Sequence, residues 1–148
     1  MAKKILIIDD DENIVKYLSL ALTKNGYEPF GAYDGKEGFD KVGEVSPELI
    51  VLDIMMPKRT GWVVFRQLRS HDEYKSIPVM MLTSVAEVLD EEEGANATEE
   101  PEYDGLRGVL KKAVQQMREE GLEKPEMFVD KPVDPHDFIE KVRSLIGE

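Results

Sequence analysis

The sequence contains no cysteine and only two histidines, His71 and His136. Disulfide bonds, iron–sulfur clusters and cysteine-based zinc sites are therefore excluded, and so is catalysis by a cysteine nucleophile. A chain of 148 residues buries enough surface to fold without such cross-links. We therefore expect an ordinary soluble domain that is stabilised by its own hydrophobic core.

Positive charge is also scarce, because 19 basic side chains stand against 31 acidic ones and the formal net charge is −12. Proteins bind nucleic acid mainly by neutralising phosphates with basic side chains, so direct binding to nucleic acid is not expected. No apolar run approaches the roughly 20 residues of a membrane-spanning helix, and the N-terminus does not have the form of a signal peptide. We expect a cytoplasmic protein without membrane insertion.

Short apolar runs alternate with amphipathic segments along the chain. Ile5–Ile8 and Leu49–Leu52 are continuously apolar, which is typical of strands buried on both faces of a parallel sheet. Strand and helix alternate five times, which predicts a doubly wound, five-stranded α/β fold with helices on both faces. The other predicted strands are Tyr27–Ala32, Pro78–Leu82 and Met127–Val129, and the clearest helices run from Ile14, Gly35, Gly61 and Pro135.

One connection, residues 86–124, is far longer than the median of about 4 to 6 residues. It begins with a stretch rich in carboxylates, and an apolar stripe at helical spacing follows. We predict an insertion between strands 4 and 5, made of an acidic loop and an amphipathic helix, within a single domain that spans residues 1–148. We expect the stripe to pack on the sheet of this domain, and a partner-protein interface is the alternative. The stripe consists of Leu106, Val109, Leu110, Ala113, Val114 and Met117.

Polar side chains stand directly after four of the predicted strands, where parallel sheets bind their ligands. Asp9 and Asp10 follow the first strand, Asp53 the third, Thr83 the fourth and Lys131 the fifth. Carboxylates this close raise one another's pKa unless a cation intervenes, and Mg²⁺ prefers such oxygen ligands. A carboxylate can also accept a phosphoryl group, whose charge a lysine and a hydroxyl would offset.

At these residues the sequence resembles the receiver domain of response regulators, the CheY-like phosphoryl-accepting module of two-component signalling. Four stretches carry the resemblance in order: ILIIDDDE at 5–12, ELIVLDIMMPKRTG at 48–61, PVMMLTS at 78–84 and FVDKPVDP at 128–135. The resemblance implies a flavodoxin-like sheet with strand order 2-1-3-4-5. It also implies a phosphorelay, in which a histidine kinase or histidine phosphotransfer protein supplies the phosphoryl group and output passes through protein contacts.

The resemblance implies a role for each residue at the strand ends. Asp53 would be the phosphorylated residue. Mg²⁺ would be the cofactor, bound by Asp10, Asp53 and the backbone carbonyl of Met55, with Asp9 acting through metal-bound water. The side chains two residues after the phosphorylated aspartate and the switch hydroxyl, Met55 and Val85, would set the dephosphorylation rate. Neither can orient an attacking water, so slow self-dephosphorylation is expected.

The remaining roles fall on the fourth and fifth strands. Thr83 resembles the switch hydroxyl that moves to the phosphoryl group, and Lys131 resembles the lysine that pairs with it. Phe128 resembles the aromatic residue whose rotation reports phosphorylation. Pro132 stands at the family's cis-peptide position.

Other functions of the same architecture remain as alternatives. A Mg²⁺-dependent phosphatase with an aspartyl nucleophile would need a second acid soon after that nucleophile, whereas Ile54 and Met55 follow Asp53. A receiver-like scaffold without phosphorylation is disfavoured because the key side chains are all present, and a flavodoxin because no phosphate-binding loop follows the first strand. We expect a signalling domain, not an enzyme, with no output domain after the last helix.

Overall fold

The structure is a computed structural model that describes residues 2–56, 60–83 and 124–148, together with Lys112, Gln115 and Glu119. Over these residues, five strands are joined with four helices. None of the described helices combines the length and the apolar character that crossing a membrane requires. The strands are β1 (Lys4–Ile8), β2 (Glu28–Ala32), β3 (Leu49–Asp53), β4 (Val79–Thr83) and β5 (Met127–Asp130), and the helices are α1 (Glu12–Lys24), α2 (Gly35–Val45), α3 (Gly61–Arg69) and α4 (Pro135–Ile146).

The strands form one parallel sheet with the order β2-β1-β3-β4-β5. This order confirms the predicted flavodoxin-like topology. Of the three inner strands, β3 and β4 are buried along their whole length, as their apolar runs predict. Among the described residues β2 is an edge strand, and Pro29 is tolerated there because no described strand pairs with its outer side.

Successive strand residues point to opposite faces of the sheet, so each face has its own core. One core lies between the sheet and the helices α2 and α3, and the other lies between the sheet and α1 and α4. The strand residues of the first core are Leu6, Ile8, Ala32, Ile50, Leu52, Val79 and Met81. The strand residues of the second core are Ile5, Ile7, Leu49, Val51, Met80, Leu82 and Val129.

Each described helix begins with a side chain that caps its first turn. Asp11, Asp34, Thr60 and Asp134 accept hydrogen bonds from the backbone N–H groups that open α1, α2, α3 and α4. Such caps satisfy N–H groups that have no partner within the helix. Asp11, Asp34 and Asp134 closely follow the carboxyl ends of β1, β2 and β5, so these three caps fix the loops at this edge of the sheet.

The predicted insertion falls almost entirely outside the described residues. Its acidic loop and its apolar stripe are both outside them, so the predicted packing of the stripe remains a prediction. Lys112, Gln115 and Glu119 are helical and exposed. The amphipathic helix as a whole stays a prediction.

Gly61 begins α3 where the backbone of β3 passes very close, and its N–H donates to the Ile54 carbonyl oxygen at 2.9 Å. A Cβ at this position would lie 2.2 Å from the Asp53 carbonyl oxygen. We therefore expect Gly61→Ala to lower the free energy of unfolding by about 1 to 3 kcal/mol, measured by urea denaturation. Val63→Ala, at an exposed site in the same turn, should change it by less than about 0.5 kcal/mol. Equal losses in both variants would contradict this account.

Candidate functional site

The carboxyl edge of the sheet collects the polar residues that end or follow its strands. Asp9 follows β1, Asp53 ends β3, Thr83 ends β4 and Lys131 follows β5. The sheet order places β1, β3, β4 and β5 side by side. The topology therefore brings together side chains that lie far apart in the sequence.

Three carboxylates form a cluster at this edge, with one oxygen from each of Asp9, Asp10 and Asp53 lying within 4.8 Å of the others. Asp9 is 0% exposed and Asp53 is 2% exposed, whereas Asp10 is exposed. Backbone groups hold the buried pair in place: Asp9 Oδ1 accepts the Asp11 N–H at 3.0 Å, and Asp53 Oδ1 accepts the Met55 N–H at 3.3 Å. The cluster thus consists of two buried carboxylates, Asp9 and Asp53, and one exposed carboxylate, Asp10.

Lys131 reaches into this cluster from the far edge of the sheet. Its Nζ lies 3.0 Å from Asp9 Oδ2 and 3.2 Å from Asp53 Oδ1. Its backbone N–H donates to the Thr83 carbonyl oxygen at 3.1 Å, and the peptide bond to Pro132 is cis. One ammonium group therefore bridges the two buried carboxylates.

The charges at this site are not balanced. Burial, and to a smaller extent the Asp9 charge, raise the pKa of Asp53 to about 6, although Lys131 lowers it. Burial likewise raises the pKa of Asp9, although the hydrogen bond from the Asp11 N–H and the contact with Lys131 both lower it. Burial lowers the pKa of Lys131, but its contacts with Asp9 and Asp53 outweigh this and raise the pKa overall. A single lysine does not compensate two buried carboxylates, so the site favours an additional cation.

The other residues implicated by the sequence lie around this cluster at different depths. Thr83 is 2% exposed at the end of β4. Phe128 on β5 is half-buried, and its ring centroid lies 6.2 Å from that of the buried Trp62. Met55 is 56% exposed on the loop after Asp53. Val85 lies outside the described residues.

An ion pair at the opposite end of the sheet was not predicted from the sequence. The Arg69 guanidinium at the end of α3 donates to both carboxylate oxygens of Glu126 at 2.8 Å each. It also donates to the carbonyl oxygens of Lys75 at 3.1 Å and Ile77 at 2.8 Å. The available signal was the position of Arg69, four residues after the buried Phe65 and therefore on the apolar face of the helix.

Comparisons with known proteins agree with this geometry. A protein-family model, described as the response regulator receiver domain, matches residues 5–118. The alkaline phosphatase synthesis transcriptional regulatory protein PhoP of Bacillus subtilis is 43% identical over 90 residues, which are 61% of this chain and 37% of PhoP. The chain thus spans little more than a third of the length of that relative.

Solved structures share the fold. The Vibrio cholerae chemotaxis protein CheY4 has a TM-score of 0.72 at 23% identity, and the alignment covers 98% of this chain and 99% of CheY4. A putative response regulator from Chloroflexus aurantiacus has a TM-score of 0.73 at 22% identity, with 100% of both chains covered. At these sequence identities the two structures show only that the fold is shared.

The family match ends before β5. It includes Asp53 and Thr83, but Phe128 and Lys131 lie beyond residue 118. The relation of Lys131 to the site therefore rests on its placement 3.2 Å from Asp53.

The raised pKa of Asp53 makes its ionisation unfavourable for folding when no metal is present. Because the folded-state pKa of about 6 exceeds the unfolded value of about 3.9, the ionised carboxylate costs stability that grows as the pH rises from about 4 to about 6. An asparagine side chain at this position cannot ionise. In metal-free buffer, we expect Asp53→Asn to raise the melting temperature above that of the wild type, by more at pH 7.5 than at pH 4.5.

The control for this prediction is Asp72→Asn, because the Asp72 side chain is 97% exposed. Its melting temperature should follow that of the wild type at both pH values, measured by circular dichroism. A difference between Asp53→Asn and the wild type that shrinks as the pH rises would contradict the assigned pKa direction.

Proposed function

The chain belongs to the response regulator receiver family, and we propose that it accepts a phosphoryl group on Asp53 from a histidine kinase or a histidine phosphotransfer protein. The family consists of signalling domains of two-component systems. The placement of Asp53 carries the proposal: its carboxylate is 2% exposed, ends a central strand, and lies 3.2 Å from the Lys131 ammonium. The proposed catalytic activity is limited to the domain's own phosphorylation and dephosphorylation.

We propose Mg²⁺ as the cofactor, because the acidic cluster offers hard oxygen ligands and carries more negative charge than Lys131 balances. Asp10, Asp53 and the backbone carbonyl of Met55 would hold the ion, and Asp9 would act through a bound water. When bound, the ion supplies positive charge to the phosphoryl oxygens.

The two oxygens of Asp53 have different surroundings. Two contacts to this carboxylate fall on Oδ1, from the Met55 N–H at 3.3 Å and Lys131 Nζ at 3.2 Å. Oδ2 is therefore the oxygen that we expect to attack phosphorus. As the new O–P bond forms, the P–N bond of the phosphohistidine donor breaks, and the histidine nitrogen keeps the electron pair and takes up a proton from solvent. The product is an aspartyl phosphate.

Lys131 and Thr83 would respond to the new phosphoryl group. The Lys131 ammonium already contacts the attacking side chain, so it can offset charge on the phosphoryl oxygens without a large movement. The Thr83 hydroxyl, at the end of the neighbouring strand, would bond to the phosphoryl group. Phe128 would change orientation with Thr83 and carry the change to the surface.

We propose that the output passes through protein contacts. PhoP of Bacillus subtilis is named as a transcriptional regulatory protein, but this chain matches only 37% of its length. The net charge of −12 repels a phosphate backbone. A surface that changes with phosphorylation is therefore better suited to a protein partner than to DNA.

Phosphorylation of Asp53 can be tested with a small donor. Incubation with acetyl phosphate and Mg²⁺ should add one phosphate to the wild type, measured by intact-protein mass spectrometry. Asp53→Asn should abolish the addition because it removes the nucleophile, and chelation of Mg²⁺ should abolish it because the developing charge is no longer offset. Asp72→Asn should be labelled like the wild type. Labelling of Asp53→Asn at the wild-type rate would refute the assignment.

The lifetime of the phosphorylated state tests the roles of Met55 and Val85. Neither side chain can orient an attacking water, so we expect slow decay in the wild type after the donor is removed. The double variant Met55→Asn and Val85→Glu should decay at least about tenfold faster, because it gains groups that position or activate water. Leu20→Asn, at an exposed position on α1, is the control. Rapid decay of the wild type, or no acceleration in the double variant, would contradict this account.

A further inference from the structure

The strand that delivers Lys131 to the site is less buried than the neighbouring strand β4. β5 has four residues, Met127–Asp130, of which only Val129 is buried. Among the described residues it is the edge strand and pairs with β4 alone. Residues 84–126 separate it from β4 in the sequence. Partial burial alone does not determine the register of β5, so contacts at its ends contribute to it.

Glu126, directly before β5, is held by two elements of the fold. Its N–H donates to the Val79 carbonyl oxygen at 3.1 Å, and its carboxylate accepts the Val79 N–H at 2.6 Å. The Arg69 guanidinium binds both oxygens of the same carboxylate. The Arg69 side chain is 2% exposed and lies 4.7 Å above the Phe65 ring. We call this arrangement the Arg69–Glu126 clamp.

The clamp opposes a shift of β5 along β4. A shift of one residue would break the contacts of the Glu126 carboxylate with the buried Arg69 guanidinium and with the Val79 N–H, which is strongly unfavourable. The same shift would move Lys131 by about 3.3 Å and reverse the face of the sheet on which its side chain lies. The contacts of Lys131 Nζ at 3.0 and 3.2 Å with Asp9 and Asp53 would not survive such a shift.

We propose that Arg69 and Glu126 are positioning residues for phosphoryl transfer, which act from the far end of the sheet by fixing the register of β5 and so the place of Lys131. This inference rests on the proposed function of Asp53. The clamp touches neither Asp53 nor the phosphoryl group. Its effect on the reaction passes through Lys131, whose backbone N–H donates to the Thr83 carbonyl oxygen at the other end of β5.

The test is a double-mutant cycle on the rate of labelling with acetyl phosphate, at a temperature where circular dichroism shows every variant to be folded. Glu126→Gln should slow labelling by about tenfold to a hundredfold, because a misplaced group costs that much. In the Lys131→Ala background the same change should alter the rate by less than about twofold, because the group it positions is absent. Glu73→Gln, at an exposed site of the neighbouring loop, should have no effect.

Two further measurements separate positioning from stability. The double variant Arg69→Met and Glu126→Leu removes both charges of the clamp. It should be phosphorylated as slowly as Glu126→Gln, because the Val79 N–H loses the Glu126 carboxylate that accepts its hydrogen bond. Hydrogen exchange at the Lys131 amide follows the register without phosphoryl transfer, and it should be faster in Glu126→Gln than in the wild type and in Glu73→Gln.

Each opposite result has a definite meaning. Wild-type labelling of the folded Glu126→Gln variant, or an equal loss with and without Lys131, would overturn the positioning role. Unchanged exchange at the Lys131 amide would overturn the register argument. A wild-type protein that takes up no phosphate would refute the proposed function instead, and the exchange measurement would then still report on the register.

Discussion

The contact of one lysine with two buried carboxylates is the interaction on which the rest of the site depends. Lys131 Nζ lies 3.0 Å from Asp9 and 3.2 Å from Asp53, and burial raises the pKa of both carboxyl groups. In the proposed function, this excess of negative charge favours a bound cation and the transfer of a phosphoryl group to Asp53. The same imbalance costs stability, so the strands that carry these side chains must be held firmly by the rest of the fold.

The sheet meets this requirement in two ways. β3 carries Asp53 and is buried on both faces between two hydrophobic cores, so its position is determined by packing. β5 carries Lys131 and has a single buried residue, and we infer that directional contacts at its two ends fix its register. The Arg69–Glu126 clamp supplies one of them, and the hydrogen bond from Lys131 to the Thr83 carbonyl supplies the other.

Local pattern was enough to predict most of the fold. Ile5–Ile8 and Leu49–Leu52 are apolar without interruption and became central strands, and the predicted helix starts at Gly35, Gly61 and Pro135 are those of α2, α3 and α4. Asp9, Asp53, Thr83 and Lys131 could be assigned to one edge because parallel strands end there together. The Arg69–Glu126 pair could not be predicted, since it joins residues far apart in sequence and its signal, a charged residue on an apolar helix face, resembles an ordinary surface arginine.

The most direct test of the central claim is to locate the phosphoryl group itself. Borohydride reduces an aspartyl phosphate to homoserine, so the labelled protein can be reduced, digested and sequenced by mass spectrometry. The account predicts homoserine at position 53 and unmodified aspartate at positions 9 and 10. Homoserine at position 9 or 10, or a phosphate that survives on a different type of side chain, would contradict it.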